Sequence, residues 1–278
     1  MSDPDRLMAT MPFWLARRGW RVVVKLGGSA MEEPAALAAT LRDVAWLNLV
    51  GQRVVLVHGG GKPIDRALMA AGIVPRKING RRMTDEATLE VVVRVLADEI
   101  NPELVRQLRE AGCPAQGLRT ATDCILRGRP FAELGRAGVV TGVNTATLLR
   151  VTLDGTVPVV PPVGRDDADG WLNINADDAA AAIAADWRAD ALIYLTDTPG
   201  LLRDVHDPAS TFHRLTPTEV SDLIADGTIA GGMAPKAQGC VAALQHGVGR
   251  VQILDGRVHH SLLQEGFAGR CPGTEFSR

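Results

Sequence analysis

The stretch "RVVLVHGGGKPIDRALMAAG" (residues 53–72) contains an apolar run, three glycines and a helical pattern in direct succession. A β-branched run ended by glycines is typical of a buried strand, here 53–61. Pro63 suits the first position of the following helix, and Gly72 suits the residue that ends it. A strand followed at once by a helix is the building unit of a parallel sheet covered by helices.

Similar units recur along the chain. Apolar runs predict further buried strands at 21–28, 156–164, 190–197 and 249–256. Apolar periodicity predicts helices at 36–51, 84–100, 173–187, 216–227 and 231–247, and Asn101 is predicted to cap another helix that ends before Gly112. The alternation predicts an α/β fold, in which a mainly parallel sheet carries helices on both faces. Residues 117–140 are the least regular, and they are compatible with hairpins or a substrate lid.

A further helical pattern lies before the first strand, at residues 7–18, where Pro12 interrupts it. A short or kinked helix is therefore expected. Two roles stay open for this segment: it packs on its own subunit, or it serves as an oligomerisation arm.

Composition excludes several classes of protein. The chain has 278 residues, 46% of them hydrophobic, with 30 basic and 32 acidic side chains and a net charge of −2. It lacks the basic excess of a nucleic-acid binder, and no apolar run reaches the ~18 residues that a membrane span needs. The four cysteines form no CxxC pair, so reduced, mostly buried thiols are expected rather than a metal site. We expect a cytosolic (cytoplasmic) protein.

The glycine run at 59–61 fails two known phosphate-binding patterns. A P-loop would need glycine where Leu56 stands and Ser or Thr where Pro63 stands, and a dinucleotide fingerprint would need glycine in place of Ile64. A dehydrogenase is therefore a poor interpretation. Bare amides at the carboxyl end of a strand, next to a helix start, still suit an anion. A tight strand–helix turn without a ligand is the alternative.

Three charged residues occupy comparable places. Lys25 lies late in a strand that is otherwise apolar, so its ammonium either reaches the rim or meets an anion. Lys236 falls in the first turn of a helix, where a cation opposes the helix dipole unless a phosphate is bound there. Asp177, also in a first turn, either stabilises its helix or holds the two lysines.

Together these features are typical of phosphoryl transfer, which depends on positioning and charge neutralisation more than on covalent chemistry. No general base is evident. That suits a carboxylate acceptor, which is already ionised at pH 7 because its pKa is about 4.

The motifs "KLGGSAM", "VHGGGKPID", "NGRRMTDEAT", "NINADDAAAAIA", "LTDTPGLL", "GTIAGGMAPK" and the closing "GT" occur in this order. With these motifs the chain resembles the amino acid kinase family, and most closely its members that phosphorylate N-acetyl-L-glutamate. The resemblance implies a three-layer αβα sandwich with an open, mainly parallel sheet of about eight strands. It implies ATP-dependent phosphorylation of the side-chain carboxylate to N-acetyl-L-glutamyl 5-phosphate, the second step of arginine biosynthesis.

The resemblance also implies a division of the chain. Residues 1–20 would form the N-terminal helix, 21–170 a lobe for acetylglutamate and the dimer contact, and 171–278 a lobe for ATP. Magnesium would arrive with ATP and need no metal site of the protein. A homodimer is implied, and in the arginine-inhibited branch such N-terminal helices link dimers into a hexamer.

Site residues are implied position by position. The catalytic residues would be Lys25, Lys236 and Asp177. The substrate would contact Gly60, Gly61, Arg82 and Asn173, with Arg82 as the clamp on a substrate carboxylate. Gly60 would also supply an amide to the phosphate. The nucleotide would contact Gly27, Gly28, Asp197, Thr228, Gly231, Gly232 and Met233, and the amides of Gly27 and Gly28 would donate to the phosphate.

Effector binding is the last implication. Members of the arginine-inhibited branch bind arginine near the C-terminus, and the residues at the matching positions of this chain are His260, Glu265 and Gly273. The chain departs from the family pattern at Cys271 and Pro272, which replace the more usual Gly-Ile, and at residues 117–129. Two other functions remain open: a related kinase acting on another carboxylate, such as carrier-linked aminoadipate, or a non-catalytic paralogue that binds arginine.

Overall fold

The computed structural model describes residues 3–27, 30–78, 80–204 and 206–278. The first half of the chain contains α1 (Asp3–Leu15), β1 (Arg21–Leu26), α2 (Pro34–Leu49), β2 (Arg53–His58), α3 (Gly61–Ala70), β3 (Lys77–Ile78), β4 (Arg81–Arg82), α4 (Glu86–Val93), a π-helical segment (Arg94–Ile100), α5 (Asn101–Glu110), β5 (Ala115–Gly117), β6 (Leu126–Pro130) and β7 (Ala137–Val143). The second half contains α6 (Thr145–Leu153), β8 (Val157–Val160), β9 (Val163–Arg165), β10 (Trp171–Ile174), α7 (Ala176–Asp186), β11 (Ala191–Thr196), a 3₁₀ turn (Pro208–Ser210), β12 (Arg214–Leu215), α8 (Pro217–Ala225), α9 (Met233–Gln245), β13 (Arg250–Asp255), α10 (Gln264–Ala268) and β14 (Thr274–Phe276).

The main sheet has eight strands in the order β12-β14-β13-β11-β1-β2-β8-β5. Its neighbours pair in parallel except for β13 and β14, which are antiparallel. The prediction of a mainly parallel sheet of about eight strands is therefore confirmed.

Alternate residues of the central strands enter two different hydrophobic cores. Val23 of β1 belongs to one core, whereas its neighbours Val22 and Val24 belong to the other. The first core includes side chains of α6, α7 and α9, and the second includes side chains of α2 and α5. Because successive side chains of a strand point to opposite faces, helices cover both faces of the sheet. This is the expected three-layer αβα arrangement.

A smaller ring of four strands lies beside the main sheet, in the order β10-β7-β6-β9. The antiparallel pair β6–β7 occupies most of the irregular region 117–140, so the hairpin expectation for that region is confirmed. The proposed lobe boundary at residues 170 and 171 falls within this ring, because β10 follows the boundary in sequence and pairs with β7 and β9.

Several predicted boundaries were wrong in detail. The run 156–164 forms two strands, because Pro161 and Pro162 separate β8 from β9. Helix α3 begins at Gly61 rather than at Pro63. Asn101 is not a helix cap: it has helical dihedrals and lies in a continuous helix from α4 through the π-helical segment into α5. Its buried side chain instead donates to the carbonyl of Val159, at 3.0 Å.

Helix α1 runs through Pro12 and packs on its own chain. The Trp14 ring is 5% exposed and lies against Gly266 of α10, where an added Cβ would come within 2.4 Å of the ring. The indole of Trp14 donates to Thr10 at 3.1 Å. Four other apolar side chains of the helix, Leu7, Met8, Met11 and Leu15, are between 41% and 61% exposed.

All four cysteines fall in the described residues and are free thiols, and Cys113, Cys240 and Cys271 are buried. None of the helices described is both long and apolar enough to cross a membrane. The predicted capping box of α8 is confirmed: Thr216 accepts from the amide of Glu219 at 3.3 Å, and the Glu219 carboxylate accepts from the amide of Thr216 at 2.7 Å.

Thr216→Ala should lower the free energy of unfolding by about 1 kcal/mol, because the amide of Glu219 loses its acceptor. Helix α8 packs against α9, so the change also tests the support of the helix that carries Lys236. Thr216→Ser keeps the hydroxyl and is the matched control. Equal midpoints of urea unfolding for the alanine and serine variants would contradict the capping role.

Candidate active site

The carboxyl ends of β1 and β2 bring the first two predicted loops together. The strands are parallel neighbours, and their register places Lys25 beside Val57 and Leu26 beside His58. Parallel strands end at the same edge of a sheet, and this edge is where ligands bind in open α/β folds. An open cleft lies here, lined among others by Lys25, Gly59, Gly60, Gly61, Lys62, Asp65, Lys77, Arg81, Arg82, Phe131, Asn173 and Asp177.

Lys25 and Asp177 form an ion pair inside this cleft. The ammonium of Lys25 lies 2.7 Å from Oδ1 of Asp177, and the lysine side chain is only 12% exposed. The predicted cap of α7 fixes the aspartate, since Oδ1 of Asn175 accepts from the amides of Asp177 and Asp178 at 2.8 and 3.2 Å. Removal from bulk water favours the neutral acid, but the charges of Lys25 and Lys236 outweigh this effect and lower the pKa of Asp177.

Lys236 approaches the same carboxylate from the other half of the chain. It lies in the first turn of α9, as predicted, and α9 packs against α7. Burial raises the pKa of the nearby Cys240 thiol strongly, and the charge of Lys236 opposes that rise. The structure therefore pairs Lys25 of β1 directly with Asp177 of α7, whereas Lys236 of α9 acts on Asp177 through its charge and not as an ion pair within 4 Å.

Arg82 also lines the cleft and is almost completely buried, with a side chain 6% exposed. One guanidinium nitrogen, Nη2, donates to Oδ1 of Asp65. The other, Nη1, is buried without a hydrogen-bond partner among the described residues. A buried donor without a partner is costly, so Nη1 is suited to an acceptor supplied by a ligand.

Three more of the predicted substrate residues line the cleft. Asn173 of β10 donates through Nδ2 to the hydroxyl of Thr84 at 3.0 Å, which fixes the direction of its amide. The amides of Gly60 and Gly61 make no backbone hydrogen bond within the described parts of the chain. A side chain at Gly60 would require Leu96 to move, because an added Cβ would lie 2.6 Å from Cδ2 of Leu96.

The phosphate-donor role predicted for Gly27 does not fit its geometry. Its amide already donates to the carbonyl of Leu195 at 3.0 Å. An added Cβ would lie 2.6 Å from that same oxygen, so this glycine allows two strands to approach closely. Gly28, expected to share the role, lies outside the described residues.

The predicted nucleotide residues surround the start of α9 and the end of β11. Asp197 follows β11 and is exposed, and Thr228 follows α8. Gly231 has a φ of +56°, and Gly232 directly precedes α9, whose first turn includes Met233. These residues do not belong to the lining of the cleft that contains Arg82.

The three candidate effector residues have separate partners. His260 contacts the buried carboxylate of Asp43 at 2.6 Å. Glu265 accepts two hydrogen bonds from Arg250, at 2.5 and 2.8 Å, and lies 3.5 Å from Arg17. Burial acts to raise the pKa of Glu265, but the bonds and charge of Arg250 lower it. Gly273 packs against the backbone, since an added Cβ would lie 2.1 Å from the carbonyl of Ile253.

Sequence reasoning missed the carboxylates that hold the cations of the cleft. Asp65 binds Arg82 and also Lys77, the latter at 3.2 Å, and Asp178 binds Arg81 at 2.6 Å. A signal for Asp65 was present, since it follows Gly61 by one helical turn and so shares a face with it. Nothing local in the sequence pairs Arg81 with Asp178.

The sequence profile of the amino acid kinase family matches residues 20–255. The chain belongs to this family. It is 41% identical to an acetylglutamate kinase from Brachyspira hyodysenteriae, covering 100% of this chain and 99% of the relative. It is 42% identical to an acetylglutamate kinase from Thermosynechococcus vestitus, covering 99% and 95%. The solved N-acetylglutamate synthase from Neisseria gonorrhoeae, complexed with coenzyme A and N-acetyl-glutamate, is similar with a TM-score of 0.88 at 28% identity, and this chain covers 64% of it.

Asp177→Asn should remove an acid-sensitive contribution to stability. The pKa of Asp177 is lower in the folded chain than in the unfolded one, so its ionised form stabilises the fold above pH ~4. That contribution is lost as the pH falls through the folded value. The difference in free energy of unfolding between wild type and variant, measured in urea from pH 6 to pH 3, should therefore shrink. A constant difference would contradict the pairing, and Lys25→Met should reduce the pH dependence.

Proposed function

We propose that this protein transfers the γ-phosphoryl group of ATP to the side-chain carboxylate of N-acetyl-L-glutamate. The observation that carries the proposal is a cleft lined by Arg82 and by the Lys25–Asp177 ion pair, whose carboxylate also lies under the influence of the charge of Lys236. The full-length similarity to proteins named acetylglutamate kinase supports the same substrate. Residues 21–170 form the proposed acetylglutamate lobe and residues 171–278 the proposed ATP lobe.

Arg82 is the proposed clamp on the α-carboxylate of the substrate. Asp65 holds the guanidinium through Nη2, which leaves the buried Nη1 for a carboxylate oxygen. Charge-assisted bonds of this kind are roughly twice as strong as neutral ones. Asn173 and the amide of Gly61 supply further polar contacts on the same side of the cleft. The side-chain carboxylate of a substrate held in this way extends towards Lys25.

The reaction needs no general base in this site, because the acceptor carboxylate is already ionised. One of its oxygens forms a bond to the γ-phosphorus, the bond from that phosphorus to the bridging oxygen of ADP breaks, and an acyl phosphate and ADP result. Lys25 is held by its ion pair with Asp177 and still has ammonium N–H donors for the oxygens of the group in transit. Asp177 holds Lys25 and Lys236 in place, and their charges neutralise the transition state.

The nucleotide is assigned to the face around the start of α9. Thr228, Gly231, Gly232 and Met233 surround that start, and Asp197 lies at the end of β11. The positive end of a helix dipole suits a phosphate chain. Magnesium is proposed to bind with the nucleotide, which needs few protein ligands. A cytoplasmic location is part of the same proposal.

We keep arginine inhibition as a separate and weaker proposal for His260, Glu265 and Gly273. Its difficulty is that Arg250 already binds both oxygens of Glu265, so an incoming guanidinium would compete with the chain's own arginine. Adding arginine to the activity assay tests it directly.

The purified protein should release ADP only when N-acetyl-L-glutamate and magnesium–ATP are both present, and hydroxylamine should trap the acyl phosphate as a hydroxamate. Lys25→Ala and Lys236→Ala should each lower kcat by about 10²-fold or more, the usual effect of losing a group that stabilises transition-state charge. Arg82→Ala should mainly raise KM for the amino-acid substrate.

Arg106→Ala is the control, because Arg106 is a 53% exposed cation on α5 that pairs with Glu103 and Glu110 and does not line the cleft. It should retain wild-type kcat. Wild-type rate in Lys25→Ala would overturn the assignment. Turnover only with a different carboxylate, such as carrier-linked aminoadipate, would favour the related kinase. Absence of turnover together with tight arginine binding would favour the non-catalytic paralogue.

Self-association through α1 is a further part of the proposal, as a homodimer that α1 links into a hexamer. The exposed apolar side of α1, defined by Leu7, Met8, Met11 and Leu15, suits a second copy of the chain.

Met8→Glu combined with Met11→Glu should reduce the mass found by sedimentation, because both charges fall on the exposed side of α1 and leave Trp14 in place. Leu153→Glu is the control, since Leu153 is 58% exposed and lies on α6. An unchanged mass in the α1 variant, or an equal loss in the control, would remove the arm from the proposal.

A further inference from the structure

His58 is a fully buried, titratable side chain that the proposed chemistry does not use. It ends β2, directly before the glycine run, and is 0% exposed. Its Nδ1 lies 2.9 Å from the carbonyl oxygen of Gly59, and its Nε2 lies 3.2 Å from Nδ2 of Asn101. Buried polar groups of this kind are kept only where their hydrogen bonds are made.

The neighbouring contacts decide which ring nitrogen carries the proton. Nδ2 of Asn101 donates to the carbonyl of Val159 at 3.0 Å, and a carbonyl can only accept. The same NH₂ group therefore faces Nε2 of His58, which must accept. The proton of the neutral ring is then on Nδ1, where it donates to Gly59. Burial lowers the pKa of His58 to about 4, in agreement with a neutral ring at pH 7.

The carbonyl of Gly59 depends on this donor because of Pro63. The first bond of α3 runs from the amide of Ile64 to the carbonyl of Gly60. The bond before it would run from residue 63 to Gly59, but proline has no amide hydrogen. His58 supplies the donor that the helix cannot.

The bond to Gly59 also sets the direction of the next amide. The chain has no cis peptide bond among its described residues, so the carbonyl of Gly59 and the amide of Gly60 point in opposite directions from one planar unit. The carbonyl is turned towards the buried His58, and Gly60 lines the cleft. The amide of Gly60, which lacks a backbone partner within the described residues, is thereby directed away from the core and towards the cleft.

We propose that His58 is a positioning residue, which Asn101 holds as the Nδ1-protonated tautomer and which aims the amide of Gly60 at the anion in the cleft. Leu96 and Ile100 of the π-helical segment pack under Gly60, and Asn101 follows directly as the first residue of α5, so one continuous helix brings both the packing surface and Asn101 to the loop. The inference rests on the proposed function for the identity of the anion, but the tautomer and the amide direction do not depend on it.

Two substitutions at His58 separate the two hydrogen bonds. Asn places an NH₂ group near the position of Nδ1, so His58→Asn can still donate to Gly59. Gln places its amide near the position of Nε2, so His58→Gln keeps a partner for Asn101 and loses the bond to Gly59. We expect His58→Asn to retain most of the wild-type kcat. We expect His58→Gln to lose roughly tenfold or more, since a misplaced contact of about 1 Å can cost about 10²-fold.

A merely structural role would give a different pattern. Activity would then follow thermal stability, and two variants that are both folded at the assay temperature would have similar kcat values. Equal kcat for the folded asparagine and glutamine variants would overturn the proposal, as would a lower kcat for the asparagine variant.

Nitrogen-15 NMR of the chain labelled at histidine and glycine tests the tautomer without any activity assay. Comparison with His58→Asn assigns the signals of His58. The expected result is a neutral ring protonated on Nδ1 at pH 7, and a shift of the Gly60 amide signal in His58→Gln that exceeds the shift in His58→Asn. A ring protonated on Nε2, or a charged ring, would overturn the proposal. A wild-type chain that gives this NMR result but does not phosphorylate N-acetyl-L-glutamate would count against the proposed function alone.

Discussion

Lys25 lies one residue before the end of β1, a strand with parallel neighbours on both sides, and its mostly buried ammonium needs an anion. An unpaired charge in such a place would shift its protonation or destabilise the fold, since burial of an isolated ammonium is very costly. Asp177 supplies this anion, with Oδ1 2.7 Å from the ammonium of Lys25. It belongs to α7, which packs on the face of the sheet that holds the first core. The hydroxyl of Tyr194 lies 3.5 Å from the backbone carbonyl of Asp177, which ties the start of α7 to β11. The Lys25–Asp177 pair and the Tyr194 contact together link β1, α7 and β11 at the point where the chemistry is proposed.

This constraint explains why the lysines come from opposite halves of the chain. β1 pairs with β11, which joins the strands of 21–170 to those of 171–278 in one sheet. In the proposed reaction the phosphoryl group lies between the two bound substrates while it is transferred. Cations from both parts of the chain can then contact it at the same time. In the proposed reaction, Asp177 offsets the repulsion between these cations when no phosphoryl group lies between them. One carboxylate thus serves the fold and the proposed reaction at once.

The sequence predicted the layer arrangement and the strand-end loops, because glycines and β-branched runs are local signals with a direct structural meaning. It also predicted the caps at Asn175 and Thr216, where the hydrogen bonds span only three residues. It failed at Asn101, whose partners His58 and Val159 are distant in sequence. It failed in the same way for Gly27, since nothing local shows that the carbonyl of Leu195 takes its amide. Local reasoning finds what the neighbouring residues decide, and tertiary pairing decides the rest.

Asp65 and Asp178, which were not predicted, change the charge balance of the cleft. Lys25, Lys77, Arg81 and Arg82 all line it, yet Asp177, Asp65 and Asp178 pair with them. These pairs hold the cations in fixed directions, which lowers the cost of ordering them when an anion arrives. Arg82 has one unpaired donor: Nη2 donates to Asp65, and Nη1 has no hydrogen-bond partner among the described residues. A carboxylate ligand would accept a hydrogen bond from Nη1, whereas an analogue without the carboxylate would leave this buried donor unpaired. Selection for an anion therefore follows from the atom that the protein leaves unsatisfied, rather than from the number of positive charges around it.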